Sequence, residues 1–467
     1  MKANKFFLVI IACLACTCLP GQTTITVNNA KPRLDTEGNI VDAHDGRTIY
    51  FNGRFYWYGT SYGNTSGFTT DNEYVCYSSS DMEAWTYEGA LLPDAPEGVY
   101  YRPHVVYNKA ADKYVLWYNW YPVLWQGQFG VAVSDEPQGP FRIVNADVQV
   151  KNSEIGVGDF GIFVDEDETA YLAYNTIHNH QVSIERLSLD YLSSTMENSG
   201  FISKYCEAGS MFKREGRYYL LTDYTCCFCG QGSGARVYMS DSPLGPYENT
   251  GNINRYPGMP LPQLADGLFH PYGKQDIAPG DRILIETEGS PFQSITLTLP
   301  WGNYRTHCQP DNDTLFHPDR ILPEFSLLDK TGEQVLPSTV EIENNYNRLR
   351  ITIRLEEPLT QSVTLRLDTS YVEKMALAEI ELGEGIAFEA FLLHGKQAVI
   401  IPAQQAHIME IPTPSGTVYS WIGDLWGSRP DNIKGHDQQY WSAPLQFRED
   451  GTIERMKWVD EWTVELK

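Results

Sequence analysis

The chain alternates short apolar, aromatic-rich runs with polar turns, and no stretch of useful length carries the 3.6-residue period of a helix. The runs fall into a two-part unit. Its first part is an aromatic strand, often after a turn, as in Gly53-Arg54-Phe55-Tyr56-Trp57-Tyr58-Gly59, and it recurs over 112–118, 169–174 and 216–221. Its second part is a strand ending in a polar turn. Tyr77-Ser78-Ser79-Ser80-Asp81 leads to Trp85; Val133-Ser134-Asp135 leads to Gly139-Pro140-Phe141; Met239-Ser240-Asp241 leads to Gly245-Pro246-Tyr247. The third unit has the weaker Leu187-Ser188-Leu189-Asp190-Tyr191. The anchors Tyr56, Tyr114, Tyr171 and Tyr218 are 58, 57 and 47 residues apart. A period of about 50 residues with several short strands per unit predicts the blades of a β-propeller.

A fifth unit follows late, as Gly416-Thr417-Val418-Tyr419-Ser420-Trp421 and then Tyr440-Trp441-Ser442. The step from Tyr218 to Tyr419 is 201 residues, so about 145 residues exceed one blade. That surplus has its own alternating strands at 294–299, 338–342, 348–355, 362–368 and 376–382, separated by polar turns. It is long enough to bury a core of its own and predicts a β-sandwich-like domain inserted between blades four and five. The expected fold is therefore all-β: blades one to four over 23–254, the insertion over 255–397, and blade five with the closure of the ring over 398–467.

Residues 1–22 read as a signal peptide. Lys2 and Lys5 precede an apolar run over 6–16 that is too short to span a bilayer. Ile10-Ile11-Ala12-Cys13 and Leu14-Ala15-Cys16 loosely fit a lipoprotein site, so the expectation is an exported chain, periplasmic, secreted or lipid-anchored. Six cysteines follow the leader: Cys76, Cys206, Cys226, Cys227, Cys229 and Cys308. Export permits oxidation. Cys226-Cys227-Phe228-Cys229 lacks a second pair at zinc spacing, so it reads as a disulfide or buried-thiol site rather than a metal site.

Composition narrows the function. The net charge of −25 argues against nucleic acid as a partner. Aromatics reach 13%, which suits a ring-filled core or stacking on sugars. The first strand of each propeller blade lines the axis, so the residue opening it faces the mouth. Stepping back 11–15 residues from each anchor gives Asp45, Arg102, Asp159, Glu207, and Gln404 or Gln405. Convergent carboxylates suit acid–base cleavage of a glycosidic bond: one protonates the leaving oxygen and another activates water. A third carboxylate nearby keeps the acid protonated. The alternative reading is charge-paired tunnel lining.

At these residues the sequence resembles glycoside hydrolase family 43, five-bladed propeller enzymes. Asp45-Gly46-Arg47-Thr48-Ile49 followed by Asn52-Gly53-Arg54-Phe55-Tyr56 matches that family's base motif. Gly158-Asp159-Phe160-Gly161-Ile162-Phe163 with Asp165 and Asp167 matches its pKa-modulator motif. Cys206-Glu207-Ala208 followed by Lys213 and Gly216-Arg217-Tyr218-Tyr219 matches its acid motif. Ala43-His44, Arg102-Pro103, Ala403-Gln404 and Gly423-Asp424-Leu425-Trp426 are similar to the exo-β-1,3-galactanase and galactosidase branch. The resemblance implies an inverting exo-glycosidase acting on polysaccharide side chains, with Glu207 as acid, Asp159 as modulator, and Asp45 or the blade-five Gln404 as base. Galactoside or β-1,3-galactan is the favoured substrate, with α-L-arabinofuranoside or β-xyloside as alternatives. The chain departs from the branch in keeping Asp45 and in carrying Tyr101 where a substrate-binding Glu precedes Arg-Pro.

Arg102, His44, Tyr101, Trp120 and Gln405 are the candidate substrate-binding residues. Trp125, Tyr118, Tyr121 and Phe129 form an aromatic cluster with Trp120, for stacking or for packing. His44 and His104 could touch substrate or a central cation, or be structural. No cofactor is required; a structural calcium ion is compatible. Asp165, Glu166, Asp167 and Glu168 lack the glycine of an EF-hand loop and read as a solvated turn. The rival from another class is a non-catalytic carbohydrate-binding propeller, in which Glu207 would point away from Asp45 and Asp159.

Overall fold

The computed structural model describes residues 24–153, 156–224, 226–300, 323–345, 348–368, 374–394 and 397–467. The expected leader, its candidate lipid-attachment cysteines and Cys308 lie outside the described residues. The described residues are all β apart from two short 3-10 turns. They divide into two compact units, one ending at Ile253 and resuming at Ile401, the other spanning Asn254–Ile400.

The first unit is a five-bladed propeller. Its four-stranded antiparallel sheets open with His44–Phe51, Val99–Asn108, Val157–Val164 and Cys206–Arg214. The fifth is a three-stranded sheet of Gln404–Thr413, Gly416–Leu425 and Gln438–Trp441. Each opening strand contacts the next, and Gln404–Thr413 returns to contact His44–Phe51, closing the ring. The chain ends reinforce the closure. Thr24–Asn28 pairs antiparallel with Glu461–Glu465. Asn29 donates from Nδ2 to the Trp441 carbonyl at 2.9 Å and accepts from the Trp441 N–H at 3.0 Å.

The aromatic anchors have a physical reason. The second strand of each blade is covered on both faces by neighbouring blades, so its side chains are buried without alternation. Ala170–Thr176 is buried throughout, and Lys113–Tyr121 at every position after Lys113. The outer strands Ser194–Asn198 and Glu248–Asn252 are largely exposed and polar. Rings fill the inter-blade seams. Phe212 stacks on Tyr219 with centroids 4.6 Å apart, between blades four and five, where Tyr419 lies 4.4 Å from Phe212. Trp57, Trp85 and Trp441 meet edge to face between blades five and one. Burying one such side chain stabilises the fold by about 1.5–3 kcal/mol.

The second unit is built on a six-stranded and a four-stranded sheet with one shared apolar core. Its strands include Phe292–Pro300, Pro337–Asn345, Arg348–Leu359, Val363–Leu367 and Glu379–Leu382. Arg348–Leu359 shows why: its buried residues, Leu349, Ile351, Ile353 and Leu355, alternate with more exposed ones, as a strand half-covered by a core requires. Pro337–Asn345 is an edge strand exposed at every position.

Candidate active site

Every opening strand breaks its pairing register near its start. The shifts fall between His44 and Arg47, Tyr101 and His104, Val157 and Phe160, Glu207 and Ser210, and Gln405 and His407. A bulge re-aims the side chains beside it, and here it turns one polar residue per blade toward a common mouth. Asp45 and Arg102 adopt the left-handed backbone, at φ 52 for each. Gly46 is required beside Asp45, because a Cβ there would stand 2.1 Å from the Tyr58 carbonyl oxygen.

Asp45, Arg102, Asp159, Glu207 and Gln404 line one pocket enclosing about 530 Å³ of space open to solvent. Arg102 is the hub, and it is 2% exposed. Its Nη2 lies 2.8 Å from Asp159 Oδ2 and donates to the Gln405 carbonyl at 3.0 Å. Its Nη1 donates to the Ala406 carbonyl at 3.1 Å, and its backbone N–H donates to Asp45 Oδ1 at 3.0 Å. Burial alone would lower the Arg102 pKa, but the Asp159 and Asp45 charges raise it, so the cation is firmly held.

Asp45 accepts from the Thr60 hydroxyl at 2.8 Å and the Tyr62 hydroxyl at 2.5 Å. Burial pushes its pKa up to about 7, opposed by Arg102 and reinforced by Asp424. Glu207 is 3% exposed; burial first, then the Asp159 charge, raise its pKa. It accepts from Gln404 Nε2 at 3.0 Å and from the Cys226 N–H at 3.3 Å on Oε1, and His180 Nδ1 lies 3.5 Å from Oε2. Gln404 is fixed in turn, its Oε1 accepting from Trp426 Nε1 at 2.8 Å and from the Phe228 N–H at 3.2 Å. Behind Glu207, its cross-strand partner Asp223 is fully buried and raised well above the usual carboxylate range by burial and the Glu207 charge.

The pocket wall is aromatic. Tyr101 lines it as expected, together with Tyr62, Tyr121, Phe228 and Trp426, and Phe68 and Trp125 stand exposed at its rim. Sequence reasoning missed Tyr62, His180 and the pocket role of Phe228. Tyr62, His180 and Phe228 lie in loops beyond the strands, outside the repeat. Asp424, singled out in the sequence within Gly423-Asp424-Leu425-Trp426, stands opposite Gln404 on the neighbouring strand and holds His44 Nδ1 and the Asp45 N–H.

Three expected residues do not reach the pocket. His44 is buried behind Asp45, with Nδ1 3.0 Å from Asp424 Oδ1. Trp120 packs in the seam between blades one and two and donates from Nε1 to the Ala146 carbonyl at 2.7 Å. Gln405 spends its amide inside the fold, donating to the Ala208 and Leu221 carbonyls and accepting from Trp421 Nε1.

His104 and His407 face each other with ring centroids 6.5 Å apart, and the Arg47 and Arg102 charges beside them, after burial, hold both neutral. In the turn at 165–168, Asp165 is already taken by Lys213 Nζ at 2.8 Å and the Tyr218 hydroxyl at 2.6 Å. No cluster of three or more potential metal ligands occurs among the described residues. Cys226 and Cys229 form a disulfide; Cys227 is free and exposed at the pocket.

Residues 40–255 match the profile of glycosyl hydrolases family 43. A curated relative, the arabinoxylan arabinofuranohydrolase of Bacillus subtilis (strain 168), is 23% identical over 53% of this chain and 58% of its own. The chain thus spans less than two thirds of that relative. Among solved structures, the chain is similar to an exo-β-1,3-galactanase from Clostridium thermocellum, with a TM-score of 0.56 and 18% identity over 94% of this chain and 67% of that one. It is also similar to a family 43 β-1,3-galactosidase bound to galactodeoxynojirimycin, with a TM-score of 0.55 and 20% identity over 93% of this chain and 99% of that one. At these identities the structural likenesses establish the fold.

Proposed function

We propose, from the premise that this chain is a family 43-like glycoside hydrolase, that it is an exported, inverting exo-glycosidase acting on β-galactosides such as β-1,3-galactan. The observation that carries the mechanism is the convergence of Asp45, Asp159, Glu207 and Arg102 on one pocket. Glu207, kept protonated by burial and by Asp159, gives its proton to the glycosidic oxygen as the bond breaks. Asp45 takes a proton from the water that attacks the anomeric carbon from the opposite face, leaving an inverted hemiacetal. A base works best when its pKa lies near the working pH, and that of Asp45 is about 7. Gln404 is a poor base here: its oxygen already accepts two hydrogen bonds and its nitrogen is given to Glu207. Arg102 holds Asp159 beside the acid.

The galactoside reading is supported by the two solved enzymes that share the fold over more than nine tenths of this chain. The arabinofuranohydrolase relative supports the alternative of an α-L-arabinofuranoside or β-xyloside. Export is supported by the leader-like run and by the Cys226–Cys229 disulfide; no helix among the described residues is long and apolar enough to cross a membrane. The test is a panel of aryl β-galactoside, α-L-arabinofuranoside and β-xyloside with β-1,3-galactan, the product anomer being read by NMR. Galactose released from the chain end as the inverted anomer is expected. Cleavage of the arabinoside or xyloside alone would replace the substrate. Binding of galactan without cleavage of any panel member would contradict an enzyme and favour a binding propeller.

A further inference from the structure

We propose that the Cys226–Cys229 loop is a positioning clip for the general acid, and that its disulfide serves catalysis more than global stability. The inference rests on the reading of Glu207 as that acid. The loop reaches both polar residues on this side of the pocket through its backbone. The Cys226 N–H donates to Glu207 Oε1 at 3.3 Å, and the Phe228 N–H donates to Gln404 Oε1 at 3.2 Å. Because Gln404 also donates to the same Oε1 of Glu207 at 3.0 Å, the two N–H groups brace one hydrogen-bonded unit from two points.

The loop also supplies a wall of the pocket. Phe228 sits in the left-handed backbone region at φ 55, which a non-glycine residue adopts when its surroundings hold it there. Its ring meets Phe68, Trp426 and Tyr62 edge to face, with centroids 4.8, 4.9 and 5.5 Å away. Gly67 makes room for that ring, since a Cβ there would stand 2.6 Å from it. A short loop bent this way needs a fastening, and the disulfide between residues three apart provides one. The stabilisation a disulfide gives the whole fold grows with the length of chain it encloses. This bond encloses very little, so its effect is local: it fixes the donor geometry at Glu207 and the aromatic face beside it.

The test compares the full-length wild type with Cys226→Ala/Cys229→Ala on an aryl galactoside with a poor leaving group. The expected result is a fall of about tenfold or more in kcat, the scale of losing hydrogen bonds to the carboxylate that develops as Glu207 gives up its proton. Near-UV circular dichroism stays native and Tm changes little. The alkaline limb of the pH profile moves to higher pH, because an N–H donated to the carboxylate favours its ionised form. A folded double variant with wild-type kcat, KM and pH profile would overturn the proposal. If the double variant does not fold, the wild type is reduced with a phosphine. Loss of activity that returns on reoxidation, with native circular dichroism throughout, supports the clip; full activity with the bond shown reduced by mass spectrometry overturns it. Glu207→Gln separates the two readings. If Glu207→Gln is fully active, the acid assignment fails; if it is inactive while the unclipped enzyme is fully active, the clip alone fails.

Discussion

Between the sheets of residues 254–400, the interior is built from Ile295, Leu297, Ile351, Ile353, Leu365 and their neighbours. Its buried acid, Glu379, is matched by Lys274 at 2.7 Å. The propeller mouth buries acids about as deeply but gathers more of them than there are cations to match, so their pKa values rise. Asp45, Asp159, Glu207 and Asp223 all act on one guanidinium, that of Arg102. Burying a charge is costly unless it is paired, and a fold selected for stability alone would not gather carboxylates in this way. The contrast teaches where to look for chemistry: an excess of buried acids over cations, which raises their pKa values, marks the working site. The sandwich interior has the composition of a structural core.

The largest effect should come from removing the hub. Arg102→Met leaves Asp159 and Asp45 without their cation and should cost about 3–5 kcal/mol in urea unfolding, with loss of activity. A cost under about 1 kcal/mol would show that the mouth is not held by this charge. Next, Asp45→Asn should lower kcat by about 10²–10⁴-fold. It should also change the pH dependence of stability. Asp45 has a raised pKa in the fold, so it contributes stability that is fully present below its unfolded pKa and lost as pH rises toward about 7. Thermal melting of the wild type should therefore decline across that window, and Asp45→Asn should flatten the decline. An unchanged slope would contradict the assigned shift.

Substitutions in the inserted unit should behave differently. Ile351→Ala should cost that unit about 2–5 kcal/mol while kcat on a small aryl glycoside is retained at 25 °C. A parallel loss of kcat would blur the division between core and site. The smallest effect should follow Val340→Lys on the exposed edge strand, where stability changes by less than about 0.5 kcal/mol and self-association measured by light scattering falls or stays level.

Much of this was legible because the propeller repeats. The Tyr anchors mark strands buried on both faces, and counting back from them reaches the bulges that carry Asp45, Arg102, Asp159, Glu207 and Gln404. The misses share a cause. His44, Trp120 and Gln405 each sit one residue from a pocket-lining residue: Asp45, Tyr121 and Gln404. Neighbours along a strand point to opposite sides, so an error of one position sends the side chain into the core. Tyr62, His180 and Phe228 were illegible for a different reason. They lie in loops that close the mouth, and no repeat register places a loop residue.

The central claim is that Glu207 donates the proton to the departing oxygen, and leaving-group dependence tests it most directly. With Glu207→Gln, kcat on a galactoside with a poor leaving group, such as a sugar or methyl group, should fall by about 10²–10⁴-fold. On a dinitrophenyl galactoside, whose leaving group needs no proton, it should fall far less. An equal loss on both substrates, or no loss on either, would contradict the assignment.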